Sequence, residues 1–183
     1  MKQGQVTPKN IVLIGFMGCG KSTVGRELHK RLGYPHTDTD QRIEERVGRK
    51  ITEIFQEEGE AFFRELETRQ LVEMGAETGT RHIISTGGGI VIAPGNRQLL
   101  RGLGYVVWLY APEEEIQRRT GKSSERPLLN QAGGREKIGE LMAEREPWYR
   151  EAAHLKIDTR GLESDEVATG ILESARYYFS QLA

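Results

Sequence analysis

Asn10-Ile11-Val12-Leu13-Ile14-Gly15-Phe16-Met17-Gly18-Cys19-Gly20-Lys21-Ser22-Thr23 decides the fold. Ile11 to Ile14 is a short apolar run, which predicts a buried strand. Gly15-x-x-x-x-Gly20-Lys21-Ser22 follows at once and is the P-loop pattern. Glycines let the backbone fold tightly, so that successive N–H groups point inward at phosphate oxygens. A helix starting near Lys21 adds the positive end of its dipole. Lys21 supplies a mobile cation for β- and γ-phosphates, and Ser22 offers a hydroxyl to Mg²⁺. The competing reading is a plain glycine-rich turn between strand and helix. The complete pattern, flanked by a strand and by Thr23-Val24-Gly25-Arg26-Glu27-Leu28, favours a nucleoside triphosphate held by Gly15, Gly18, Cys19, Gly20, Lys21, Ser22 and Thr23.

Outward from this stretch, apolar runs alternate with helical patterns, the signature of βαβ units and a parallel sheet. The first helix is predicted over 21–32, stopped by Gly33. Strands are predicted over 10–14, 34–37, 82–86, 105–110 and 154–157. Between the second and third strands lie two short helices, with Thr52 as the expected cap of the second, and a longer helix over 60–77. Pro94 and Pro112 open further helices. A helix over 135–152 contains Pro147, expected to bend or break it. An amphipathic helix over 164–182 closes the chain. The expected product is an α/β three-layer sandwich with one five-stranded parallel sheet. Its ligand site should lie beyond the carboxyl ends of the strands.

The chain has 183 residues, enough for one domain with a sizeable core. With 26 Lys+Arg against 27 Asp+Glu it lacks the basic excess of a nucleic-acid binder. Residues 1–10 are polar and do not read as a signal peptide. No stretch reaches the roughly 20 apolar residues of a membrane span. The single cysteine, Cys19, cannot form an internal disulfide and fits a reducing cytoplasm. Cys19 itself reads as a small filler at a variable P-loop position. With no coiled-coil pattern or apolar patch visible, a monomer is expected.

Asp38 and Asp40 lie two apart at the end of a predicted strand, where i and i+2 side chains point the same way. One carboxylate can help hold Mg²⁺ through water; the other can accept a proton from an attacking hydroxyl. The alternative is a pair of turn-forming, helix-capping aspartates. The third strand ends in Thr86 and glycines, without a terminal Asp of the Walker-B type, which supports Asp38 as its substitute. Arg64 and Glu67 are i, i+3 on one helix; taken alone they read as a solvated ion pair. Gly87-Gly88-Gly89 lets backbone approach a ligand, or is a flexible turn. Arg118, Arg119, Arg126 and Arg145 fall in or around a polar, glycine-flanked segment, 121–134. A kinase needs a mobile cover to keep water from the phosphoryl group, and an arginine on it is worth about 10³–10⁵ in rate. Trp108 is expected in the core, with Trp148 and Tyr149 packing against the sheet or the base of the cover. His29, His36, His82 and His154 show no metal-ligand spacing.

Taken together, Gly15–Ser22, Asp38-Thr39-Asp40 with Ile43-Glu44, Gly59-Glu60…Phe63-Arg64…Glu67, Gly87-Gly88-Gly89 and Arg126-Pro127-Leu128-Leu129 resemble the shikimate kinases. Arg145 before Pro147-x-Tyr149 also fits. The resemblance covers about residues 10–157. It implies a nucleoside-monophosphate-kinase-like domain spanning 1–183, with strand order 2-3-1-4-5, a lid at about 121–134 and substrate-binding helices at about 40–78. The implied reaction transfers the γ-phosphoryl of ATP to the 3-hydroxyl of shikimate, on the route to chorismate and aromatic amino acids. By resemblance, Lys21 binds β/γ-phosphates, Ser22 ligates Mg²⁺ and Asp38 supports it through water. Asp40 binds the reacting hydroxyl. Arg64, oriented by Glu67, and Arg145 clamp the shikimate carboxylate. Gly87, Gly88 and Gly89 line the site with backbone amides, and Phe55 and Phe63 wall the ring. Arg126 closes onto the phosphates, and Arg119 stacks near adenine. Cys19 departs from the Ser or Ala common in the family, a tolerable change.

Two other readings use the same P-loop. A sugar-acid kinase, such as a gluconate kinase, needs the same chemistry, but Phe63-Arg64-x-x-Glu67 and the triple glycine argue against it. A regulatory nucleotide-binding module would need no acceptor site, and no Asn-Lys-x-Asp guanine-reading motif is present.

Overall fold

The computed structural model describes residues 10–77, 79–120 and 137–181. Their elements follow in the order β1 (Asn10–Ile14), α1 (Lys21–Leu32), β2 (His36–Asp38), α2 (Thr39–Val47), α3 (Ile51–Glu57) and α4 (Gly59–Ala76). Then come β3 (Ile83–Ser85), α5 (Pro94–Leu103), β4 (Gly104–Tyr110), α6 (Glu113–Thr120), α7 (Ile138–Ala152), β5 (Leu155–Asp158) and α8 (Ser164–Ser180). The sheet has five strands in the order β2-β3-β1-β4-β5, every pairing parallel.

Alternation along the central strands builds the three layers. Ile11 and Leu13 of β1, with Tyr105, Val107 and Leu109 of β4, pack with Val24 and Leu28 of α1 and Val167 and Ile171 of α8. Val12, Ile14, Val106 and Trp108 pack on the other face with Leu71 of α4, Leu100 of α5 and Tyr149 of α7. A separate small cluster of Ile43, Ile54 and Phe63 holds α2, α3 and α4 together. Surface pairs Arg42–Glu77 and Arg46–Glu73 tie α2 to α4. Among the described residues no helix is long and apolar enough to cross a membrane.

Three local expectations change. The second strand starts later than predicted and includes Asp38, which pairs in register with Ser85. Thr52 lies inside α3, whose cap is Lys50: the Lys50 amide donates to Glu53. The helix containing Pro147 does not break there; α7 runs through it to Ala152. The C-terminal half of α7 is tied to its neighbours instead. Arg101 of α5 donates to the carbonyls of Glu151, Ala152 and Ala153, and Arg97 pairs with Glu151 at 2.8 Å. The expected lid at 121–134 lies outside the described residues, and Arg126 with it.

Candidate active site

A cavity of about 1130 Å³ opens beyond the carboxyl ends of β1, β2 and β3. Its nucleotide end is the P-loop. Gly15, Gly18 and Gly20 all have positive φ, at 141°, 80° and 100°, a region that glycine enters without steric cost. At Gly15 a Cβ would collide with the Leu109 carbonyl, so this turn also needs glycine for close packing. Lys21 is buried, and its ammonium donates to the carbonyls of Gly15 (2.8 Å) and Phe16 (2.9 Å). Ser22 Oγ donates to Asp38 Oδ2 at 3.2 Å. Asp38 Oδ1 meanwhile accepts from the amides of Asp40 and Gln41. Asp38 thus divides its oxygens: Oδ1 caps α2 and Oδ2 accepts from the P-loop hydroxyl.

Asp40 reaches the cavity by a different route from the expected one. The strand ends at Asp38, and Asp40 sits in the first turn of α2. Burial, reinforced by the negative charge of Asp38, raises its carboxyl to about 6, against the pull of Lys21 and Arg64. Its Oδ1 is buried without a hydrogen-bond partner among the described residues. A Cβ on Gly87 would lie 2.5 Å from that oxygen and 3.0 Å from Glu67 Oε1, so only glycine lets these carboxyls close around the turn.

Arg64 and Glu67 are not a solvated pair. Glu67 is fully buried, and Arg64 keeps only 13% of its side chain exposed. Arg64 Nη1 donates to Glu67 Oε2 at 2.7 Å, and Nε and Nη2 donate to Glu60 Oε1 at 3.1 and 2.6 Å. Burial raises the Glu67 carboxyl to about 7 in spite of Arg64. Phe55 and Phe63 meet with ring centroids 4.9 Å apart, and both line the cavity. Arg145 enters from α7; it is 4% exposed, and its Nε and Nη1 have no partner among the described residues. A buried guanidinium with unmet donors, lining the same cavity as a second one, suits a planar carboxylate.

The shikimate kinase family model matches residues 17–176. A shikimate kinase of Geobacter sulfurreducens is 48% identical over 92% of this chain and 91% of its own length. One from Moorella thermoacetica is 44% identical over 96% of this chain and 99% of its own. This chain belongs to the shikimate kinase family. A solved shikimate kinase from Acinetobacter baumannii, in complex with shikimate, superposes with a TM-score of 0.88 at 39% identity, covering 94% of this chain and 95% of that one. The α/β fold with strand order 2-3-1-4-5 is thus the family fold, and the enzyme is an ATP-dependent small-molecule kinase that phosphorylates shikimate.

In this shikimate kinase the described candidates converge on one cavity: Lys21, Ser22, Asp38, Asp40, Phe55, Phe63, Arg64, Glu67, the three glycines, Arg119 and Arg145 all line it. Of the glycine amides, that of Gly87 is already committed, donating to the buried Thr39 Oγ1 at 3.2 Å. Several supporting residues escaped the sequence reading. Glu115, in the acidic first turn of α6, grips Arg119 through Nε at 2.8 Å. This holds Arg119 beside Gly20, with its Nη1 4.0 Å from where a Gly20 Cβ would stand. Glu60 holds Arg64 from one helical turn before it, a contact that its i, i+4 spacing signals. Thr68 links the Arg64 carbonyl to Asn96, which in turn donates to Ile90 just past the glycine turn. Thr68 and Asn96 stand 28 residues apart, and no spacing rule reveals their contact.

Proposed function

We propose that the enzyme transfers the γ-phosphoryl of ATP to the 3-hydroxyl of shikimate through the residues gathered in this cavity. The observation that carries the reading is the placement of Arg64 on α4 and Arg145 on α7 at the same cavity as the buried Asp40. The two guanidiniums hold the acceptor carboxylate, which turns the ring so that a hydroxyl meets Asp40. With its carboxyl raised only to about 6, Asp40 is ionised at neutral pH yet basic enough to take a proton. The hydroxyl oxygen bonds to the γ-phosphorus as the bond to the β–γ bridging oxygen breaks. ADP carries away that electron pair, and the hydroxyl proton passes to Asp40. In a loose transition state, orienting the hydroxyl is the larger part of this role. Lys21 leaves its carbonyl cage to meet the β- and γ-phosphates, Arg119 lies against the nucleotide, and Arg126 closes onto the phosphates.

The donor set fits Mg²⁺: a hydroxyl and a carboxylate oxygen, Ser22 Oγ and Asp38 Oδ2, stand together beside the P-loop, and hard cations take oxygen ligands. Ser22 would hold the ion directly and Asp38 through water, and when bound it neutralises charge on the phosphates. A monomer acting in the cytoplasm, as one domain over 1–183 with its lid at 121–134, completes the proposal. Among the described residues the exposed large apolar side chains, Val72, Leu162 and Tyr177, sit on separate elements, α4, the β5–α8 loop and α8.

Arg64→Ala tests the assignment. Its shikimate KM should rise by about 10²-fold, the range for a lost buried charge-assisted contact, while the ATP KM stays near wild type. An unchanged shikimate KM would show that the carboxylate is held elsewhere.

A further inference from the structure

Tyr149 stands at a junction that the catalytic roles above leave unexplained. It is 2% exposed, on the C-terminal half of α7. Its ring stacks on Trp108 of β4, centroids 5.6 Å apart and planes at 21°. Its hydroxyl donates to the carbonyl of Gly88, the middle of the glycine turn. Gly88 in turn packs on the P-loop backbone: a Cβ there would lie 3.0 Å from the Met17 amide nitrogen. One helical turn before Tyr149 is Arg145, whose guanidinium carbon lies 5.6 Å from the centre of the Phe16 ring. Burial pushes the phenol upward, against the positive charge of Arg145 beside it, so the hydroxyl keeps its proton and remains a donor.

Between Arg145 and Tyr149 lies Pro147, which has no N–H to give to the carbonyl four residues back. The turn of α7 that carries Arg145 therefore lacks the backbone bond to the Ala143 carbonyl. Beyond it, α7 is bound to α5 through Arg97 and Arg101. The Tyr149 hydroxyl gives this anchored half a hydrogen bond to the turn the acceptor must meet.

We propose that Tyr149 is a positioning residue for the acceptor site: its hydroxyl, bonded to the Gly88 carbonyl, sets Arg145 and the glycine turn in register with each other. It touches neither substrate and acts through both walls of the acceptor end. The inference rests on the reading of Arg145 as a carboxylate clamp.

Tyr149→Phe keeps the ring on Trp108 and removes only the hydrogen bond. The expected result is a shikimate KM raised about five- to tenfold, the size of one lost buried hydrogen bond, with kcat and the ATP KM within about twofold of wild type. In an Arg145→Ala background the same substitution should add clearly less, leaving only the part that acts through the glycine turn. Trp108→Phe, which spares the hydroxyl, should leave the shikimate KM unchanged. Full additivity with Arg145→Ala, equal effects on ATP and shikimate, an equal KM rise in Trp108→Phe, or failure of Tyr149→Phe to fold would each overturn the proposal and leave Tyr149 a packing residue. Failure of the underlying reading looks different: wild-type enzyme would not turn over shikimate, or Arg145→Ala alone would leave its KM unmoved.

Discussion

At the scale of single residues the acceptor end of the site is held in an unfavourable charge state. Glu67 is fully buried beside Asp40, and burial raises its carboxyl from 4.5 to about 7. A carboxyl raised on folding adds stability that is fully present below its unfolded value and is lost as pH rises through its folded value. Glu67 therefore destabilises the ligand-free protein progressively between those two values. Glu67→Gln should gain on wild type in Tm as pH rises from about 5 to about 8, by roughly 3–6 °C, read by calorimetry. A gap that stays constant or closes with pH would contradict this. At the nucleotide end, Glu115 holds Arg119 beside Gly20. Glu115→Gln should raise the ATP KM by about three- to tenfold, the worth of one charge-assisted contact, and leave the shikimate KM alone. Initial-rate kinetics with each substrate varied in turn separate the two. Lys21 and Ser22 were legible because the P-loop spacing has a chemical reason; Asp40 was reached through a strand alternation where the chain instead starts α2, and Arg145 came only with the family resemblance. Thr39 and Asn96 were not, since Gly87 and Thr68 are brought to them only by the fold, whereas Glu115 stands four residues before Arg119 on α6, a spacing that carried the signal.

At the scale of elements, strands and helices follow from patterns that the sequence carries openly, while their ends depend on tertiary contacts. Asp38 belongs to β2 because it pairs with Ser85 of β3, and α7 continues through Pro147 with α5 and β4 anchoring its far half. Neither contact can be read locally. The β4–β5 junction carries a titratable link of the same kind. His154 Nδ1 accepts from the Val106 amide at 2.9 Å, which places the ring proton on Nε2, facing the Tyr178 hydroxyl. Burial, with Arg101 nearby, lowers its pKa from 6.5 to about 4. A histidine lowered on folding contributes stability above its unfolded value that is lost as pH falls toward its folded value. Wild-type Tm should therefore drop between about pH 7 and about pH 4.5 more steeply than that of His154→Asn, whose amide oxygen can accept the same bond without titrating. Parallel curves for the two proteins would remove His154 from the account.

At the scale of the whole molecule, the P-loop and the alternation of apolar runs were enough to place one parallel sheet with the site at its carboxyl edge. What they could not provide was depth. Arg64 and Glu67 look like an ordinary surface pair in sequence, and only the packing of α4 against the glycine turn turns them inward. The two arginines come from helices about 80 residues apart in the chain, so their convergence is a property of the topology that no local pattern carries. That convergence puts both arginines and the P-loop on one cavity. It is tested most directly by ADP release from ATP and Mg²⁺ with shikimate, with gluconate, or with no acceptor. Release should depend on shikimate and stay near background with gluconate or with neither. Release with gluconate but not shikimate, or nucleotide binding with no acceptor-dependent release at all, would contradict it.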